Sequence, residues 1–156
     1  MESCLYAVEV KSKLTAVNLS DAIENARSTR ALEHVNTFHY SGTKSEKTGM
    51  PAPNNVLFAF DSDLEGHMKT ELDRYLELDH AESPAITVLC VVGKGYWAVT
   101  SKGWRYYKPS EQFGEVLGFL AGVSNTIPKL LSAKGCPQFG SYLFDENTGV
   151  LVKPAS

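Results

Sequence analysis

Ala7-Val8-Glu9-Val10-Lys11-Ser12-Lys13-Leu14-Thr15 is the stretch on which the fold of this chain turns. The run that leads into it, Cys4 to Val10, is short, mostly apolar and β-branched towards its end, which predicts a buried strand. Side chains alternate along a strand, so residues two apart share a face. Glu9 and Lys11 are therefore neighbours, and the apolar residues around them imply partial burial. A partly buried charge is costly unless it is paired or bound to a metal. On spacing alone the simpler reading is a structural ion pair at a strand end. The functional reading makes Glu9 a ligand for a divalent cation and sets Lys11 towards a scissile phosphate. Magnesium takes one or two carboxylates together with waters and phosphate oxygens. A lysine ammonium is a compact point charge suited to negative charge developing on phosphorus or on an attacking hydroxide.

Outward from this stretch, Thr15 is a suitable N-cap, and Leu19, Ala22, Ile23 and Ala26 share a helical face that Leu32 and Val35 extend. This predicts a helix over about residues 16–34. Residues 36–55 lack periodicity and contain Gly42, Gly49, Pro51, Pro53 and Asn54-Asn55, which reads as a long loop, mobile or functional. Val56 to Phe60 is the second strand. Asp63 is expected to cap a helix whose Leu64, Met68, Leu72, Tyr75 and Leu76 form one stripe. Ile86 to Val92 is a third strand, and turns at Gly93-Lys94-Gly95 and Ser101-Lys102-Gly103 separate it from strands at 96–100 and 104–108. A last helix starts from a Ser110 cap, and Pro128 should kink or end it. Phe139 to Phe144 reads as a final strand. The order gives one α/β (α+β) domain over residues 1–156, a mixed β-sheet flanked by helices.

The 156 residues suit a single domain, and 43% hydrophobic with 21% charged residues is an ordinary globular balance. Cys4, Cys90 and Cys136 are an odd set with no short spacing, which excludes a disulfide framework and a thiolate zinc site. No apolar run reaches the roughly 18 residues of a membrane span, and no basic leader precedes an apolar run, so a cytoplasmic location is expected. The net charge of −3 divides unevenly along the chain. Residues 1–50 are neutral in sum, 51–83 carry −6 and 84–156 carry +3, so the average says little about partners.

Residues 7–15 with the capped helix that follows resemble the Glu-x-Lys half of the PD-(D/E)XK nuclease superfamily, and within it a group of bacterial and phage nuclease-like domains. The resemblance is tight over residues 6–15 and loose over most of the chain. It implies a restriction-endonuclease-like core with magnesium-dependent phosphodiester hydrolysis as its ancestral chemistry. By the same resemblance Glu9 ligates magnesium and Lys11 orients or activates the nucleophilic water. The superfamily places a further metal-binding aspartate on the strand before Glu-x-Lys. Here Glu2 is the sole acid before Glu9, and its odd offset of seven turns it to the other face. The expectation is therefore a nuclease domain lacking its N-terminal elements, either a piece of a larger domain or a site that has lost a ligand and with it its activity. A non-catalytic binding or interaction module on the same fold is the alternative.

Asp61 is the acid that could substitute as a metal ligand, because a parallel strand–helix–strand crossover brings it to the sheet end of Lys11. Its plainer reading is a turn or capping aspartate in Asp61-Ser62-Asp63. Asp21 and Glu24 read as solvated helix charges. Lys94, Lys102, Trp104, Arg105 and Lys108 form a basic and aromatic hairpin able to grip single-stranded nucleic acid, or else a hairpin with an aromatic core half and a solvated basic half. Gly114, Gly118 and Gly122 recur every four residues, as close helix–sheet packing requires. The four histidines show no metal-ligand spacing. Finally, Leu5 to Val10 would be an apolar edge strand, which predicts a homodimer through the N-terminal strand.

Overall fold

The computed structural model describes residues 4–31, 53–65 and 69–134, together with backbone strands at 36–41, 44–49 and 136–137. The first strand, β1 (Tyr6–Lys11), leads through Leu14 and Thr15 into α1 (Ala16–Ala31). Thr15 caps it as expected, its hydroxyl oxygen accepting from the Asn18 N–H at 3.2 Å. The expected face is the buried one: Leu19, Ala22, Ile23 and Ala26 pack onto the sheet. Burial of each leucine or isoleucine there stabilises by about 1.5–3 kcal/mol, far more than helix propensity supplies.

The stretch expected to be a loop at 36–55 is structured in part. β2 (Asn36–Ser41) and β3 (Lys44–Gly49) pair as an antiparallel hairpin, and β8 (Cys136–Pro137) adds to β2. Their sequences, Asn-Thr-Phe-His-Tyr-Ser and Lys-Ser-Glu-Lys-Thr-Gly, lack the apolar alternation that announces a strand.

β4 (Asn54–Ala59) lies parallel to β1, with Glu9 opposite Leu57 and Lys11 opposite Ala59. β5 (Val88–Val91) is parallel to β4, and β6 (Gly95–Thr100) and β7 (Gly103–Tyr107) follow antiparallel. The main sheet therefore runs β1-β4-β5-β6-β7, a mixed α/β sheet. One face, bearing Leu57, Ala59, Leu89, Val91 and Trp97, packs under α1 and α2 (Glu71–Leu78). The other bears Val56, Cys90 and Tyr96 under α3 (Gly114–Lys134). Among the described residues no helix is long and apolar enough to cross a membrane.

Two helix boundaries depart from expectation. α2 starts at Glu71, because Thr70 caps it in a reciprocal box with Asp73, while the Asp63 carboxylate is taken by Arg74. α3 runs through Pro128 to Lys134, so the proline costs one backbone bond without ending the helix. Ser110 does accept from the Gly114 N–H at 2.8 Å. The glycine stripe has the expected purpose: a Cβ on Gly122 would sit 2.5 Å from the Tyr96 hydroxyl. The strand expected at 139–144 lies outside the described residues, as do the side chains of His34, His39 and His67; His80 is exposed.

Candidate functional site

Glu9 and Lys11 end β1 on the face shared with Leu57 and Ala59, beneath α1. Alternation places them together, and the Lys11 Nζ lies 2.7 Å from the Glu9 Oε1. Asn25 of α1 donates to the other carboxylate oxygen at 3.4 Å. The two side chains keep 24% and 27% of their surface, so they are neither buried in the core nor freely solvated. An ion pair this accessible contributes about 1 kcal/mol or less, which makes stability a weak reason for it. Glu9 lines a cleft of about 290 Å³ between β1 and α1, together with Asn25, Thr29 and Asn55, whereas Lys11 is not among its lining residues. Asn55 is buried and donates to the Ala26 and Ala85 carbonyls, pinning α1 and the segment before β5 to β4.

Asp61 does reach the same sheet end but does not meet Glu9. The β1–β4 register continues to a bridge between Leu14 and Ser62, so Asp61 stands opposite Lys13 and its carboxylate lies 3.7 Å from that ammonium. Leu57, the partner of Glu9, is four residues earlier, about 13 Å along the strand. One magnesium ion, with ligands about 2.1 Å away, cannot span these two carboxylates as placed. Asp21 and Glu24 are exposed on α1. Among the described residues no group of three or more His, Cys, Asp or Glu could hold a metal.

The basic hairpin is split by the fold. Lys94 lies in the turn before β6 and Lys108 follows β7, whereas Lys102 occupies the turn at the opposite end. The rings offered for base stacking are largely used within the protein. Tyr96 stacks on Tyr107 at 4.9 Å, Trp97 on Tyr106 at 5.1 Å, and Trp104 packs edge-on to Tyr75 at 5.5 Å. Arg105 lies over the Tyr107 ring at 5.1 Å, and Lys102, Arg105 and Lys108 are exposed. Cys90 is buried at mid-strand, and burial, with the Glu115 charge adding, pushes its thiol up to about 12. It is therefore a small hydrophobe and no nucleophile.

Sequence reasoning missed a polar cluster where β1, β4 and α2 meet. Glu71 and Arg74 are buried; the Arg74 guanidinium bonds Glu71 at 2.6 Å, the Leu14 carbonyl at 3.2 Å, and Asp63. Ser62 donates to the second Glu71 oxygen. The i, i+3 spacing of Glu71 and Arg74 was the available signal, but it is common on solvated helices.

No family model matches the chain, and no curated protein matches it. Among solved structures it is similar to NucC of P. aeruginosa ATCC27853 in its cAAA-bound form, with a TM-score of 0.65 and 16% identity over 91% of this chain and 60% of that one. It is similar to NucC of E. coli MS115-1 in the apo form, with a TM-score of 0.65 and 16% identity over 92% of this chain and 64% of that one. The cAAA-bound form of the same protein gives 0.65 and 17% over 92% and 60%. At such identities the likeness shows the fold, a nuclease-like α/β architecture. The chain spans roughly three fifths of the length of the structures it matches.

Proposed function

We propose that this chain is a PD-(D/E)XK-like nuclease domain whose Glu9 and Lys11 form the Glu-x-Lys half of a phosphodiesterase centre, with little hydrolytic activity from the 156 residues alone. The observation that supports the reading is the Glu9–Lys11 pair, side by side on the α1 face of a strand end in a nuclease-like fold. Lys11 offers a cation to a phosphate oxygen, and Asn25 orients the carboxylate beside it. A magnesium ion held at Glu9 would supply Lewis-acid chemistry to the phosphate, and Glu9 and Asp61 stand too far apart to share one ion. Weak magnesium binding at either carboxylate is the most that the described residues support. The cytoplasm is the compartment proposed.

The expected result is little or no magnesium- or manganese-dependent cleavage of single- or double-stranded DNA or RNA by the purified chain. Nucleic-acid binding should persist and fall several-fold in Lys11→Ala. Rapid cleavage abolished by Glu9→Ala would overturn the proposed inactivity and keep the nuclease reading. The second reading, a non-catalytic module, draws on the exposed Lys102 and Arg105 of the hairpin. If Lys102→Ala with Arg105→Ala weakens binding and flattens its salt dependence while Lys11→Ala changes nothing, the module reading replaces the first.

The partner surface is the edge of β1. Among the described residues β1 pairs with β4 on one side only, and Val8 and Val10 are 51% and 56% exposed on the face away from Glu9. Such an edge templates pairing with another chain, and a two-fold homodimer is the simplest arrangement that covers it. Light scattering should give twice the 17.1 kDa chain mass, and Val10→Lys should return it to monomer. A monomer at high concentration in the unsubstituted chain would remove the proposal.

A further inference from the structure

We propose that the cleft between α2 and the β6–β7 hairpin binds a single nucleotide, its base stacked on Tyr106 and its phosphate held by Lys94. The cleft has a volume of about 320 Å³ and is lined by Lys69, Thr70, Lys94, Trp97 and Tyr106 among others. That is at the lower end of the range for small-molecule sites, the size of one nucleotide. It opens past the carboxyl end of β5, and β1, β4 and β5 are parallel. α/β sheets leave their ligand crevices outside the carboxyl ends of such strands.

Two features on the cleft wall ask for a ligand that is flat at one end and anionic at the other. Tyr106 rests one face on Trp97, with the planes 21° apart, and is itself 46% exposed, so its outer face is the accessible one. Gly95 makes this possible: its φ is +146°, and any Cβ there would run into the Tyr106 ring. The Tyr106 hydroxyl donates to the Lys94 carbonyl at 3.2 Å, which ties the ring to the backbone of the lysine. The Lys94 ammonium is half-buried and donates to the Leu64 carbonyl at 2.8 Å. Lys11, Lys13 and Lys69 each face a carboxylate, but among the described residues Lys94 makes no ion pair. Glu71 also lines the cleft, and its charge is already met by Arg74 and Ser62. A half-buried cation with no counter-ion beside an open aromatic face is the pairing that recognises phosphate and base together.

The cleft is distinct from the one lined by Glu9, since β6 lies three strands from β1, about 14 Å across the sheet. Binding in this cleft does not depend on hydrolysis and is measured by itself. Titration of the whole chain with adenosine 5′-monophosphate, followed by calorimetry, should show one site. Lys94→Gln and Tyr106→Leu should each weaken binding about tenfold. Tyr106→Phe, which keeps the ring, should retain it, as should Lys129→Ala, which removes an exposed cation on α3. Circular dichroism verifies the fold of each variant, and Tyr106→Phe against Tyr106→Leu separates stacking from a general loss of structure. Inorganic phosphate binding as tightly as the nucleotide would overturn the stacked base, and adenosine binding as tightly would overturn the phosphate contact. Absence of binding up to about 10 mM, or equal binding by Lys94→Gln, would overturn the site.

Discussion

Arg74→Ala is expected to cost about 3–5 kcal/mol of stability, because it leaves the buried Glu71 carboxyl group without its cationic partner. Glu71 is 2% exposed, and the Arg74 Nε and Nη2 reach one of its oxygens at 3.0 and 2.6 Å. The same guanidinium holds the Leu14 carbonyl and Asp63, so one side chain fastens α2 to the ends of β1 and β4. The Arg74 hydrogen bond, opposed in part by burial, keeps the Asp63 carboxyl below its ordinary value. In a domain of this length the loss corresponds to a fall in melting temperature of roughly 6–20 °C. Removing both charges tells the rest: Arg74→Met with Glu71→Leu should recover most of the loss, since an apolar pair of similar volume carries no desolvation cost. Urea unfolding of the three proteins checks this. A single-variant loss under about 1 kcal/mol would show that water already reaches the pair.

Asp79 governs the acid limb of stability. It closes the C-terminus of α2 with its side chain fully buried, accepting from the Tyr75 hydroxyl, the Ala85 N–H at 2.7 Å and the Arg27 guanidinium. Burial acts to raise its pKa, but these hydrogen bonds outweigh it and hold the carboxyl below 3.8. The unfolded chain therefore binds the proton first as pH falls. The contribution is fully present above the unfolded value and is lost as pH drops through the folded one. Asp63, Asp73 and Glu115 are shifted in the same direction. Stability should thus stay nearly flat from neutral pH to about 5 and fall steeply below about 4. Burial, with the Asp79 carboxylate adding, pushes the Tyr75 phenol up, so it remains a donor throughout this range. Asp79→Ala removes the acceptor for two buried donors and should cost about 3 kcal/mol at pH 7. Asp79→Asn should lose less and flatten the acid slope, and a slope unchanged by Asp79→Asn would assign the acid limb to other carboxylates.

Much of the local structure was legible in the chain. The alternation around Glu9 and Lys11 placed them on one face at a strand end, and the ion pair at 2.7 Å is where that spacing puts it. The face of α1 and the β6–β7 hairpin followed from period and turn residues. The cap of α2 did not. Asp63 and Thr70 are both good caps by residue type, and Arg74, eleven positions from Asp63, decided between them by taking the aspartate. The β2–β3 hairpin was hidden because its strands carry no apolar period to read.

The sequence by itself determined the elements that carry a clear apolar period, which side chains those elements turn inward, and that a carboxylate and an ammonium share a strand end. Those properties depend on the period of a single element, and a period is written in consecutive residues. Tertiary structure alone decided which charges meet. The β1–β4 register carried Asp61 to Lys13, away from Glu9. The sheet order turned the hairpin aromatics onto one another and left the ring of Tyr106 beside Lys94 at the mouth of a cleft. Register and sheet order are set by pairing between segments dozens of residues apart, where packing of the whole core outweighs the preference of any one stretch.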